Sequence, residues 1–145
     1  MSEKRKVLGL EFDESKIKYA DRGFSNAHFE TSDIAKTNIP SADCVLLIHV
    51  LHHLNSYNEQ EALIEACFKN LKDGGKLIIC EVDKYPWWKF FLSQIADHLL
   101  YPGDHIYYRF PGELVPLLNK FFTNISRERM HQGTPFSHIT YICTK

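Results

Sequence analysis

The chain has 145 residues, with 17 Lys and Arg against 18 Asp and Glu, so its formal net charge at pH 7 is −1. This length suits one domain with a hydrophobic core. The balanced charge gives no electrostatic reason to expect nucleic acid or an anionic membrane as a partner. The charged N-terminus lacks a signal-peptide core, and no apolar run approaches the roughly 18 residues of a membrane span. We therefore expect a soluble, cytoplasmic protein.

The first part of the chain predicts a strand, a helix and a second strand. Residues 6–10 read as a buried strand that ends at Glu11, and a short helix over residues 14–21 follows. Gly23 closes this helix, and residues 26–30 form the second, short strand.

The middle of the chain carries the clearest pattern. Residues 44–48 are an unbroken apolar run with β-branched members, which predicts a strand buried on both faces. Residues 58–71 place apolar side chains at helical spacing, and we expect Gly74 and Gly75 to end this helix. Residues 76–82 read as another buried strand. Together they predict a right-handed crossover between two parallel strands.

The last part of the chain predicts helices and a hairpin. An aromatic helical segment runs from residue 85 to about residue 101, and Pro111 opens a helix over residues 112–121. Residues 124–131 and 137–144 alternate as the two strands of a hairpin do. Strands that alternate with helices predict an α/β layered sheet, here closed by an antiparallel hairpin.

Four short stretches, in this order, resemble motifs of the class I S-adenosylmethionine-dependent methyltransferases of the small-molecule methyltransferase-domain type. Residues 7–20 (VLGLEFDESKIKYA) look like the motif in which an acidic residue ends the second strand. Residues 29–40 (FETSDIAKTNIP) look like "gD…lP", residues 43–54 (DCVLLIHVLHHL) like "fD…l.Hl", and residues 71–79 (LKDGGKLII) like "LkpGG.l.i". The resemblance covers residues 7–145 and implies a Rossmann-like sheet with S-adenosylmethionine as cofactor.

The resemblance places the cofactor at the carboxyl ends of the strands, where open parallel sheets bind ligands. Glu11 would accept two hydrogen bonds from a ribose diol, and Phe12 would pack on the adenine face. Asp33 would bind the adenine amino group, with the Ile34 amide near a ring nitrogen. His49 would line the site near the sulfonium and is the candidate general base. Acidic residues at strand ends are also common as solvated loop residues.

One part of the family pattern is missing from the sequence. The family normally opens with another strand and a G-x-G-x-G turn, which lets the backbone approach the cofactor; residues 11–15 (EFDES) contain no glycine. The Glu11-to-Asp33 spacing matches the second and third motifs, so we expect an N-terminally truncated fold without the central first strand. The two strands beside the gap would each have an unpaired edge. Direct pairing, a second copy or a longer natural chain would relieve this, and we expect a homodimer.

The histidines His49, His52 and His53 raise the question of a metal site. A strand that passes into a loop does not place His49 and His52 on one face as a helix would. No Asp, Glu or Cys completes the set nearby in the sequence. We therefore predict no metal site, and we expect His53 to pack or hydrogen-bond at the start of the following helix.

The aromatic run at residues 85–91 (YPWWKFF) is the sharpest anomaly in composition. We interpret residues 82–112 as an aromatic, lid-like insertion in a single methyltransferase-like domain, residues 1–145. Three interpretations of the aromatic run stay open: a lid over an apolar substrate, shallow contact with a membrane, or packing on the sheet or on a partner subunit.

Two functions follow from this sequence. The first is methyl transfer from S-adenosylmethionine to a small, hydrophobic acceptor, impaired by the missing loop and achieved mainly by in-line positioning. The acceptor would contact Trp87, Trp88, Tyr108 and Arg109, and Arg109 would bind a carboxylate or phosphate. The second is a dimeric, non-catalytic binding module of the same fold.

Overall fold

The computed structural model describes residues 5–20, 22–103 and 105–145. The chain divides into two compact units, Met1–Ile39 and Pro40–Lys145, and each is described by itself. The single domain with an insertion at residues 82–112 stays a prediction. Asp21, at which the first helix was predicted to end, lies outside the described residues.

The first unit is a parallel strand pair connected by a helix. Its elements are β1 (Val7–Glu11), α1 (Glu14–Ala20) and β2 (Ala27–Thr31). The two strands pair in register so that Glu11 lies opposite Thr31, at the carboxyl edge of the sheet. Asp13 caps the helix, because its Oδ1 accepts a 2.8 Å hydrogen bond from the Ser15 amide.

The second unit contains a four-stranded mixed sheet in the order β3-β4-β6-β5. Its elements are β3 (Ala42–Ile48), a 3₁₀ turn (Leu51–His53), α2 (Tyr57–Asn70), β4 (Leu71–Val82), α3 (Trp87–Leu100), α4 (Pro111–Leu118), β5 (Asn124–Met130) and β6 (His138–Thr144). β3 and β4 are parallel, whereas β6 pairs antiparallel with both β4 and β5. The predicted parallel pairing of the strands on either side of α2 and the C-terminal hairpin are both confirmed; the right-handedness of the crossover stays a prediction.

The core of the second unit lies on one face of this sheet. Buried side chains from β4 and β6 share that face with apolar residues of α2 and α4: Leu77, Ile79, Tyr141, Cys143, Leu63, Ile64, Cys67, Leu114, Leu117 and Leu118. The opposite face is more open, since Leu46 and Ile48 are 53% and 58% exposed. The prediction that residues 44–48 are buried on both faces is therefore wrong. Within the described residues β3 has one ladder partner, β4, and is an edge strand.

The glycine pair has a different role from the one predicted. α2 ends at Asn70, and Leu71 is already extended, so Gly74 and Gly75 do not end the helix. They lie in β4, beside the point where its register with β3 shifts. Gly74 has a φ of 74°, and a Cβ on Gly75 would lie 2.7 Å from the carbonyl oxygen of Lys72. The bulge, rather than the helix end, requires glycine here.

Among the described helices, none combines the length and the apolar character that crossing a membrane requires.

Two glycine-to-alanine substitutions test whether the β-bulge requires glycine. Gly75→Ala should lower the free energy of unfolding by about 1–3 kcal/mol, because the new methyl group meets backbone that has to move. Gly112→Ala is the control, since that glycine lies in α4 and a methyl group there would meet no described atom within 4 Å beyond its own helix backbone and chain neighbours. The control should be neutral or stabilising by up to about 1 kcal/mol. Equal stability of the two variants in urea denaturation would contradict this account of the bulge.

Candidate functional site

The carboxyl ends of β1 and β2 form a polar edge in the first unit. The Ser32 amide donates a 2.8 Å hydrogen bond to the backbone oxygen of Glu11, which fixes the loop after β2 beside the end of β1. The Glu11 side chain accepts a 3.1 Å hydrogen bond from the Asp13 amide through Oε1 and lies 3.8 Å from the Lys16 ammonium. Within the described residues its second oxygen, Oε2, has no hydrogen-bond partner.

The loop after β2 holds Asp33 in one orientation. The Ala35 amide donates to its Oδ1 at 3.1 Å, and the Lys36 ammonium contacts Oδ2 at 2.8 Å. The hydrogen bond from Lys36 lowers the pKa of Asp33, so this carboxylate is charged at neutral pH. Ile34 is half-buried at the start of the turn, and the Phe12 ring is 75% exposed. The four predicted cofactor contacts of this unit therefore belong to one edge of one sheet.

In the second unit, His49 follows β3 in an unusual backbone conformation. Its φ is 54°, in the left-handed region that non-glycine residues rarely adopt. Its amide still donates to the Cys80 carbonyl of β4 at 2.9 Å, so the strand pairing extends to this residue. The conformation turns the chain sharply out of the sheet and into the 3₁₀ turn.

Glu81, near the end of β4, holds that turn in place. It is 4% exposed, and its Oε1 accepts hydrogen bonds from the Val50 amide at 3.2 Å and from the Leu51 amide at 2.9 Å. Its Oε2 is hydrogen-bonded to Nδ1 of His52, which is also buried. Sequence reasoning missed Glu81. The available signal was a carboxylate inside an apolar strand, which is stable only when it is hydrogen-bonded.

His49, His52 and His138 form an aromatic cluster beside this carboxylate. The His49 ring centroid lies 4.7 Å from that of His138 and 5.8 Å from that of His52. Burial lowers the pKa of both His49 and His138, so both rings are neutral at neutral pH.

Tyr108 is the predicted substrate residue that reaches this cluster. Its ring stacks on His52 at 5.4 Å and meets Phe90 of α3 edge-on at 5.3 Å. Its hydroxyl donates to Oδ2 of Asp97, and burial together with this hydrogen bond raises the pKa of the phenol. Tyr108 therefore connects the aromatic helix to the end of β3 and β4.

The other three predicted substrate residues have different surroundings. The Arg109 guanidinium donates to the Gln60 side chain at 2.9 Å and to the Tyr57 carbonyl at 3.1 Å, which ties its segment to α2. Trp87 and Trp88 begin α3 and are 76% and 48% exposed. The two indoles are thus exposed to solvent, whereas the Arg109 guanidinium is hydrogen-bonded to α2.

Substitution of His49 tests the strain in its backbone. His49→Gly should be more stable than His49→Ala by about 1 kcal/mol, because both remove the ring and only glycine tolerates a positive φ at low cost. The same pair at His98, an exposed residue of α3, should show the opposite order, since alanine favours a helix over glycine by about 1 kcal/mol. Midpoints of urea denaturation give both differences. If His49→Ala were as stable as His49→Gly, or more stable, the backbone at residue 49 would not be strained.

The fold is similar to solved structures of methyltransferases. N-methyltransferase NodS from Bradyrhizobium japonicum WM9, in complex with S-adenosyl-L-homocysteine, aligns with a TM-score of 0.73 and 12% identity over 97% of this chain. Magnesium protoporphyrin IX methyltransferase ChlM from Synechocystis PCC 6803, also with that product bound, aligns with a TM-score of 0.71 and 20% identity over 97% of this chain. The (4+2) cyclase SpnF has the same fold, with a TM-score of 0.71 and 14% identity over 97% of this chain.

This chain spans only 66%, 64% and 66% of those three proteins, respectively, which is less than two thirds of each. No curated protein sequence matches it significantly. The predicted Rossmann-like fold is confirmed by these alignments. Residues 2–77, more than half of the 145-residue chain, match the family model described as "Methyltransferase domain". The chain therefore belongs to the methyltransferase-domain family.

Proposed function

We propose that this chain carries out S-adenosylmethionine-dependent methyl transfer to a small-molecule acceptor. The observation that carries the proposal is the polar edge of the first unit, where Glu11 and the Asp33 loop lie side by side after two parallel strands. Family membership supports the reaction class. The bound S-adenosyl-L-homocysteine in NodS and ChlM supports the choice of cofactor.

Polar groups at this edge can form further hydrogen bonds with a cofactor. Glu11 Oε2 is free, within the described part of the chain, to accept from the two hydroxyls of a ribose. Asp33 carries a charge that favours an amino donor such as that of adenine. The Ile34 amide has no described acceptor and is suited to a ring nitrogen. The exposed Phe12 ring supplies an apolar face for the base.

The acceptor side of the proposal rests on the second unit. S-adenosylmethionine supplies an electrophilic methyl group, and the protein's task is to align a nucleophile with it. His49 is neutral and half-buried, so it is suited to take the proton that the acceptor loses. The Tyr108 ring beside His52, and the exposed indoles of Trp87 and Trp88, favour a small acceptor with an apolar part.

Binding of the cofactor by the chain alone is expected to be weak. The 145 residues contain no G-x-G-x-G turn, so the backbone amides that such a turn brings to the cofactor are not supplied. We expect a Kd for S-adenosylmethionine above about 100 µM, which corresponds to less than about 5.5 kcal/mol of binding free energy.

Nitrogen–proton correlation NMR can detect binding this weak and assign it to residues. Titration with S-adenosylmethionine should shift the amide signals of Glu11, Phe12, Asp33 and Ile34, and Glu11→Ala should abolish the shifts. Glu14→Ala is the matched control, because it removes the same charge from the neighbouring helix α1. Shifts that are absent, or that both variants reduce equally, would contradict the site. A micromolar Kd would contradict the importance of the missing turn.

A second candidate is a dimeric, non-catalytic binding module. It is favoured by β3, an edge strand among the described elements that leaves Leu46 and Ile48 half exposed. Exposed apolar edges of this kind promote pairing with another chain.

Light scattering tests this second candidate. The chain should have twice its 16.9 kDa mass in solution, with no change when S-adenosylmethionine is added. Leu46→Lys should shift it to the monomer, because a charge on the edge strand opposes pairing. Leu92→Lys, on an exposed position of α3, is the control and should remain dimeric. A wild-type monomer that binds the cofactor tightly would exclude the dimeric module.

A further inference from the structure

Donor side chains from two separated parts of the chain meet at the carboxyl end of β3 and β4. His49 and His52 follow β3, and Glu81 is near the end of β4. Candidate ligand atoms of His49, His52 and Glu81 all lie within 4.8 Å of one another. No carboxylate lies near these histidines in the sequence. Strand pairing brings Glu81 beside them.

The ring geometry matches what a shared metal ion requires. Two imidazoles bound to one zinc ion, with Zn–N distances of about 2 Å, have centroids about 5 Å apart. The observed separation between the His49 and His52 centroids is 5.8 Å. Within the described residues, the His49 ring has no hydrogen-bond partner, so it retains a nitrogen lone pair.

Hydrogen bonds within the protein already orient two of the donor side chains. The Val50 and Leu51 amides orient the Glu81 carboxylate, and Glu81 in turn orients the His52 ring through Nδ1. For both residues to bind one ion directly, His52 would ligate through Nδ1, with the ion in place of the proton that Nδ1 now shares with Glu81 Oε2. His52 and Glu81 are both buried, which limits competition from water.

We propose that His49, His52 and Glu81 form a binding site for a divalent transition-metal ion. Imidazole and carboxylate donors together suit Zn²⁺, Co²⁺ or Ni²⁺, whereas Mg²⁺ and Ca²⁺ prefer oxygen donors alone. With three protein donors, the ion retains an open position for water or for an oxygen atom of a ligand. The inference does not depend on methyl transfer, since ion binding is measured without cofactor.

A competing set of donors shares His52. The side chains of His52, His53 and Asp97 also offer ligand atoms within 4.8 Å of one another. In this set the two rings are tilted by 42° with centroids only 4.2 Å apart, closer than two ligands of one ion. Asp97 also accepts the Tyr108 hydroxyl. Because both carboxylates already have hydrogen-bond partners, it is the ring separation that favours the His49 set. The two sets are distinguishable by mutation.

Calorimetric titration of the full chain with Zn²⁺ tests the site. One ion per chain is expected, with no comparable binding of Mg²⁺. His49→Gly should lower the affinity at least about tenfold, and it avoids the strain that alanine would introduce at φ 54°. His98→Ala, which removes an exposed histidine of α3, is the matched control and should bind as the wild type does. Circular dichroism of each variant checks the fold.

A second readout identifies the ligand set. Co²⁺ bound in place of zinc should give visible absorption bands, and His49→Gly should change them while His53→Ala should not. Absence of stoichiometric Zn²⁺ binding would overturn the proposal. So would loss of binding with His53→Ala but not with His49→Gly, or an equal loss with His98→Ala.

Discussion

The buried Glu81 carboxylate is the interaction on which the second unit's functional edge depends. A carboxyl group that is 4% exposed is tolerated only when its oxygens are hydrogen-bonded. The Val50 and Leu51 amides and the His52 ring meet that requirement. These donors directly follow His49, whose left-handed conformation turns the chain out of β3. One carboxylate thus links the strand pairing, the turn and the orientation of the histidines.

Parallel pairing produces the same arrangement in each unit. In both, two strands run in the same direction, so the residues that follow them share one edge. In the first unit, these residues are Glu11 and the Asp33 loop, both charged and accessible. In the second they are His49 and Glu81, which are more buried. The chemistry of the two edges therefore differs: the first suits hydrogen bonding to a polar cofactor, and the second suits proton transfer or metal binding.

Local patterns predicted the order of the elements correctly, because apolar periodicity and turn residues report on neighbours in sequence. They failed where the partner lies far along the chain. Glu81 hydrogen-bonds Leu51, 30 residues away, and Arg109 reaches Gln60, 49 residues away. Only the sheet register and the helix packing create those contacts. The role of Gly74 was also ambiguous, since a helix end and a β-bulge both require a residue that accepts positive φ.

We propose that the carboxyl edge of β1 and β2 binds the cofactor. Hydrogen–deuterium exchange, followed by mass spectrometry with and without saturating S-adenosyl-L-homocysteine, tests this binding site. We expect slower exchange in peptides that cover residues 11–13 and 32–36, with no change in the β5–β6 hairpin. Unchanged exchange at that edge, or protection confined to the hairpin, would contradict the claim.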